Sequence, residues 1–347
     1  MKKIAVVGIG AIGSILGGNL TKGGQDVTLI CTSWRENAEV MKKDGLTLKG
    51  AAGEQTIKVK VLFIDELSQL KEKIEILFVS VKSNDTVKIL TLLKPYLSKD
   101  AWVISLQNGI NEDAIIPIIG KANAIGCVSY TGGSLLKPGY VRGHGGHFVI
   151  GELDGQTTPR IKELAQILSL VTRTEISANV MQERWNKLSQ VSMSVTVGAI
   201  TGLGFPGVFQ NEKAHPLFAR IICEVIQVAG AAGYKLDTVI RIKADDWKKL
   251  ARGPVPEVSK IIAEGNARPN APGGITNDPT DAPITRDIKR GLPLEIDYTN
   301  GYVISKGKEV GVPTPVNELI VSMVKAVQSG KIKAGLDNLD EMLKLTA

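Results

Sequence analysis

Three glycines spaced Gly8-Ile9-Gly10-Ala11-Ile12-Gly13 form the segment of this chain best suited to hold a ligand. The apolar run Ile4-Ala5-Val6-Val7 precedes them, and the helix-compatible run Ser14–Leu20 follows. In that context Gly8 permits a tight turn, Gly10 lets a pyrophosphate approach the backbone, and Gly13 lets the helix pack on the strand. The helix N-terminus, with Ile9, Ala11 and Ile12 completing the loop, then presents unpaired N–H groups and its positive dipole end to phosphates. A glycine turn with no ligand is the plainer reading, and the strand–turn–helix setting argues against it. The second apolar strand ends in Leu29-Ile30-Cys31-Thr32-Ser33-Trp34-Arg35. No carboxylate stands at its tip to accept from ribose hydroxyls. Thr32, Ser33 and Arg35 instead suit a 2′-phosphate, so NADPH is expected and NADH is the less favoured alternative. Arg35 reads equally well as a solvated residue opening the next helix.

The elements that must position these residues show in the periodicity. Short β-branched runs at Ile4–Val7, Val27–Ile30, Ile76–Val81, Trp102–Leu106 and Ala124–Val128 alternate with amphipathic segments. That alternation is the pattern of βαβ units and a parallel sheet. Leu46–Val61 reads as a hairpin turned at Gly50 and Gly53, and the glycine-rich stretch 139–146 as an extension of the sheet. Beyond Thr158 the pattern becomes helical, with Ile161, Leu164, Leu168 and Val171 on one face. Further helices are expected over Trp185–Ile200, Pro216–Ala229 and Pro315–Val327, and a long loop over 250–282. The expected fold is α/β. A Rossmann-type doubly wound parallel sheet occupies residues 1–178, and an all-α domain for substrate binding and dimerisation occupies residues 179–347.

Composition narrows the function classes. The chain has 347 residues, 43% apolar and 22% charged, as in soluble globular proteins. The net charge of +7 comes from lysines scattered along the chain rather than gathered with aromatics, which disfavours nucleic acid. No apolar run is long enough to span a bilayer. The basic Met1-Lys2-Lys3 leads into a buried strand, not a signal sequence. Cys31, Cys127 and Cys223 show no metal spacing and sit in apolar runs, which indicates a reducing, cytoplasmic setting with no bound metal.

Several further segments occur in an order that resembles the ketopantoate reductase (2-dehydropantoate 2-reductase) family. They are Val81-Lys82-Ser83, Leu106-Gln107-Asn108-Gly109, Glu183-Arg184-Trp185-Asn186-Lys187-Leu188, Leu294-Glu295-Ile296-Asp297-Tyr298-Thr299-Asn300-Gly301 and Val310-Gly311-Val312-Pro313-Thr314-Pro315. The resemblance covers nearly the whole chain. It implies hydride transfer from NADPH to the ketone of a 2-oxo acid, nominally 2-dehydropantoate, to give pantoate for pantothenate biosynthesis. It makes Lys187 the catalytic lysine, where composition alone would make it an exposed helix residue. It places Asn108 and Glu295 in the catalytic set and beside the cofactor, and Lys82 at the cofactor. A lysine suits the chemistry, since hydride addition leaves negative charge on oxygen and an ammonium can stabilise and protonate it.

The chain departs from the family where substrate is held. Asparagines typical of the positions four and eight residues after the lysine are replaced by Val191 and Val195, and Pro283 stands where the family commonly has a serine. Thr285 and Arg286 are the candidates to replace the lost polar contacts. Valines offer only an apolar wall, so a different, less polar 2-oxo acid is the alternative substrate. A non-catalytic NADPH sensor is the alternative outside enzymology. The apolar helices of the second half are consistent with a homodimer.

Overall fold

The computed structural model describes residues 1–50, 53–265 and 283–346. These divide into two compact units, one of residues 1–107 and 111–180, the other of residues 108–110 and 181–347.

In the first unit, β1 (Lys3–Val7) leads through the glycine turn into α1 (Ala11–Lys22), followed by β2 (Asp26–Cys31), α2 (Arg35–Asp44), β3 (Leu46–Gly50), β4 (Gly53–Ile57) and β5 (Lys60–Phe63). Then come β6 (Ile74–Val79), α3 (Thr86–Leu93), β7 (Leu97–Ser105), α4 (Glu112–Ile119), β8 (Ala124–Ser129), β9 (Gly133–Lys137), β10 (Tyr140–Gly143), β11 (Phe148–Gly151), α5 (Pro159–Ser169) and β12 (Thr174–Ile176). Eight strands form one sheet in the order β12-β11-β8-β7-β6-β1-β2-β5. From β8 to β5 every pairing is parallel, and β11 runs antiparallel to β8. Side chains alternate across the strands as the pleat requires. Ile4, Val6, Leu29 and Phe78 pack with Leu16 and Leu20 of α1 and Leu164 and Leu168 of α5. Ala5, Val7, Ile30 and Val79 pack with Ile89, Leu90 and Leu93 of α3 on the other face. Such two-sided cover makes the strands near-continuously apolar.

The second unit runs through α6 (Val180–Thr201), α7 (Phe205–Gln210), α8 (His215–Ala231), β13 (Thr238–Val239), β14 (Ile242–Lys243), α9 (Ala244–Arg252), α10 (Pro256–Gly265), α11 (Pro283–Lys289), α12 (Asn300–Val310), α13 (Pro315–Gln328) and α14 (Leu336–Leu345). Its core includes Trp185, Trp247 and Phe218. α6 carries many hydroxyls for an apolar helix. Most turn back on the helix itself: Ser189 Oγ donates to Trp185 O at 3.0 Å, Ser194 Oγ to Gln190 O at 2.7 Å, and Thr201 Oγ1 to Val197 O at 2.7 Å. Satisfied in this way, they can be buried. A polar network crosses the same core. Glu224 of α8 accepts from the backbone N–H groups of Val316 and Asn317 at 2.8 and 2.9 Å and from the Asn317 side chain at 2.7 Å. Asn300 Nδ2 donates to Asn317 Oδ1 at 2.9 Å and to Ser192 O of α6 at 3.0 Å. One carboxylate thus fixes the start of α13 and, through two amides, the middle of α6.

Several expectations need correction. The stretch 250–282 is not one loop, because α9 runs to Arg252 and α10 occupies 256–265; residues 266–282 lie outside the described residues. Val258 and Ile262, one turn apart, are buried and drive α10 despite its flanking prolines. Pro315–Gln328 is followed by a further helix, α14, anchored by Leu339 and Met342. The glycine-rich 139–146 segment does not extend the large sheet. Its strand β10 joins a separate four-stranded sheet, β4-β3-β10-β9, which also contains the expected hairpin. The second half is helical as expected, apart from the two-residue strands β13 and β14, which pair in a short hairpin. Among the described residues no helix is long and apolar enough to cross a membrane.

Replacing Glu224 by alanine would leave the three donors it serves unsatisfied in the core, each such loss costing about 1–3 kcal/mol. A fall in unfolding free energy of about 3 kcal/mol or more is expected for Glu224→Ala, read as a lower urea midpoint with an unchanged m-value.

Candidate active site

The glycine turn has the local geometry its spacing demands. Gly8 has φ +92°, and a Cβ there would lie 2.6 Å from the backbone of Ser80 and Val81. A Cβ on Gly13 would collide with the Gly8 carbonyl, so this residue sets the approach of α1 to the turn. Gly10 differs: nothing lies within 4 Å of a Cβ built there. Its bareness is not needed for packing and leaves room for a ligand against the backbone. α1 has no side-chain cap and no acid in its first turn, so its N-terminal field is unopposed. The turn is tied down from outside. The Ile9 carbonyl accepts from Ser14 Oγ at 3.1 Å and from Asn37 Nδ2 at 2.9 Å, and Asn37 Oδ1 accepts from Gly139 N at 2.8 Å. These residues fit a dinucleotide pyrophosphate.

The tips of β2, β6 and β7 supply the neighbouring side chains. Thr32 is half-buried, while Ser33, Trp34 and Arg35 are exposed. The Arg35 guanidinium lies 4.4 Å from the centre of the Phe63 ring and pairs with Asp65. A carboxylate is therefore present beside the β2 tip after all, brought from the end of β5 rather than from β2 itself. Lys82 follows β6 and is half-buried. The end of β7 is latched to β6 by Gln107, whose Nε2 donates to Val81 O and to Thr86 Oγ1, both at 2.8 Å.

Asn108 is exposed at the start of a turn in which Gly109 has φ +82°. Residues 108–110 belong to the helical unit: Ile110 is part of its core cluster with Trp185, and Arg184 Nη1 donates to Gly109 O at 3.4 Å. Asn108 and the α6 turn that carries Lys187 are thus on one body. Lys187 is half-buried, and its Nζ donates to Gln190 Oε1 at 3.3 Å. Burial lowers its pKa to about 8. Val191 and Val195 follow on the same face at helical spacing, each 6% exposed. They are core residues with an edge showing rather than an open wall. Glu295 is half-buried and lies at the start of the short turn Ile296–Tyr298 that leads into α12, not on a helix surface. Thr285, on α11, has a buried hydroxyl with no hydrogen-bond partner among the described residues. Arg286 lies on the same helix, and its side chain is outside the described residues. No cluster of metal-binding side chains occurs among the described residues.

The family model described as "Ketopantoate reductase PanE/ApbA" matches residues 4–155, and "Ketopantoate reductase PanE/ApbA C terminal" matches residues 179–328. The chain belongs to the ketopantoate reductase family. Curated members of this oxidoreductase family include the 2-dehydropantoate 2-reductase of Pyrococcus horikoshii, 27% identical over 94% of this chain and 98% of the relative. That of Aquifex aeolicus is 28% identical over 95% and 98%. Among solved structures, a ketopantoate reductase of Ralstonia eutropha JMP134 matches with TM-score 0.76 and 27% identity, over 95% of this chain and 99% of that one. A D-mandelate dehydrogenase solved with NADH and anilino(oxo)acetate matches with TM-score 0.77 and 25% identity, over 94% and 99%.

Asn37, Asp65, Gln107 and Arg184 escaped the sequence reading of this ketopantoate reductase family member. Only Gln107 and Arg184 carried a signal, as neighbours of residues already singled out. Asn37 and Asp65 act across 28 and 30 residues and had none.

The contrast between Gly8 and Gly10 is testable. Gly10→Val should fold with a stability within about 1 kcal/mol of wild type yet bind NAD(P)H at least about tenfold more weakly, because its side chain meets only the ligand's space. Gly8→Ala should lose stability itself, through positive φ and backbone collision. Thermal unfolding paired with nucleotide titration calorimetry separates the two.

Proposed function

We propose that this protein reduces a 2-oxo acid to the 2-hydroxy acid with NADPH, 2-dehydropantoate being the nominal substrate. The observation that carries the reading is Lys187, half-buried on α6 with its pKa lowered to about 8. An ammonium of that acidity is charged enough at neutral pH to steady a developing alkoxide and acidic enough to protonate it. A bound nicotinamide would supply the hydride. Gly8–Gly13 and the open N-terminus of α1 would hold its pyrophosphate, with Thr32, Ser33 and Arg35 toward the 2′-phosphate and Lys82 nearby. Asn108 and Glu295, in the same unit as Lys187, would orient the reacting groups.

The substrate side chain follows from what α6 lacks. Where a polar side chain would need partners, Val191 and Val195 present none, and an unpaired polar group in such a site is costly. An oxo acid with an apolar side chain therefore suits this face better than one with a hydroxyl. Thr285, with its unserved hydroxyl, and Arg286 are the groups we assign to the substrate carboxylate. The D-mandelate dehydrogenase relative, solved with anilino(oxo)acetate, supports a less polar substrate within the same scaffold.

Oxidation of NADPH, followed at 340 nm, should occur with 2-oxo acids bearing branched or aromatic side chains at a higher kcat/KM than with 2-dehydropantoate. Lys187→Ala should lower kcat by about a hundredfold or more with nucleotide affinity little changed. Equal turnover by that variant would remove Lys187 from the mechanism. Nucleotide binding without reduction of any oxo acid would leave a sensor.

A further inference from the structure

Asp65 lies just beyond β5, the parallel neighbour of β2, and Cys31 pairs with Phe63, so both chains leave the sheet at the same level. Its carboxylate Oδ2 accepts from Arg35 Nη2. Phe63 is the platform beneath this corner: the Arg35 guanidinium lies 4.4 Å and Lys42 Nζ 4.1 Å from the centre of its ring. Lys42 in turn pairs with Glu66 Oε2 at 2.8 Å. The two cations that lie over Phe63 are therefore each matched by a carboxylate. The Arg35 and Asp65 side chains are 57% and 59% exposed, so both are open to a ligand.

This arrangement does not simply offer an arginine to a phosphate. A 2′-phosphate carries close to two negative charges and seeks the same guanidinium donors that Asp65 occupies. An unphosphorylated ribose has hydroxyls that donate, and a carboxylate is the acceptor for them. We propose that Asp65 is a specificity-determining residue of the nucleotide site. It competes with a 2′-phosphate for Arg35 and serves as acceptor for a free 2′-hydroxyl, so that NADH is accepted beside NADPH. The inference rests on the nucleotide reading above and refines its choice of cofactor.

The test is calorimetric titration of the full chain with NADPH, NADH and 2′,5′-ADP, comparing wild type with Asp65→Asn and Glu66→Gln. Asp65→Asn should tighten NADPH and 2′,5′-ADP and weaken NADH, shifting the ratio of the two cofactor dissociation constants by about tenfold. Glu66→Gln removes the same charge one residue away and should leave that ratio within about twofold. An unmoved ratio in Asp65→Asn, or an equal shift in Glu66→Gln, overturns the proposal while leaving nucleotide binding intact. Failure of wild type to bind any of the three would overturn the nucleotide reading, and this proposal with it. Because the fragment lacks nicotinamide, its response locates the effect at the adenosine end.

Discussion

Partial removal of water from one ammonium, that of Lys187, is the constraint around which the helical unit is arranged. Desolvation brings its pKa down to about 8. A lysine on an ordinary solvated helix would sit near its usual value of about 10.4 and would be a poor proton donor at neutral pH. Keeping a cation in that position requires a rigid, mostly apolar helix. α6 meets the requirement by folding most of its serine and threonine hydroxyls back on its own carbonyls. Its middle is held by Asn300, which reaches Ser192 O and is fixed in turn by Asn317 and Glu224. Its first turns are tied to the Asn108 loop through Arg184 and the Gly109 carbonyl. Glu224, Asn300 and Asn317 thus fix the helix that carries Lys187, and their mutual hydrogen bonds make them compatible with the core.

The nucleotide unit follows the same logic with backbone in place of a side chain. Gly8 and Gly13 are dictated by packing, Gly10 by the space it leaves open. Asn37 grips the Ile9 carbonyl and the Gly139 N–H together, joining the glycine turn to the neighbouring small sheet. Gln107 fixes the ends of β6 and β7 in the same fashion. Buried Asn37 and Gln107 thus hold the backbone beside the candidate residues of this unit.

Much of this was legible in the sequence because it is local. The strands of the parallel sheet show as apolar runs, and the glycine turn is a spacing of six residues whose chemistry is backbone geometry. Helices α6, α8 and α13 show as apolar periodicity. What escaped is long-range or short. β12 has three residues and exists because β11 offers it a parallel edge. α10 lies among Pro and Gly residues that read as loop, and only burial of Val258 and Ile262 reveals it. Asp65 stands 30 residues from Arg35, so a search for an acid at the end of β2 could not find it. Val191 and Val195 were legible as departures from the family pattern, but not as residues just 6% exposed.

The central claim is that Lys187 is the proton donor and that its acidity comes from burial. The dependence of kcat/KM on pH for oxo acid reduction tests it directly. The ammonium is the active form, so the account predicts a plateau below neutrality and a unit-slope decline as pH rises through about 8. A profile that stays level through pH values near an ordinary lysine, about 10.4, or that rises with pH, would contradict it.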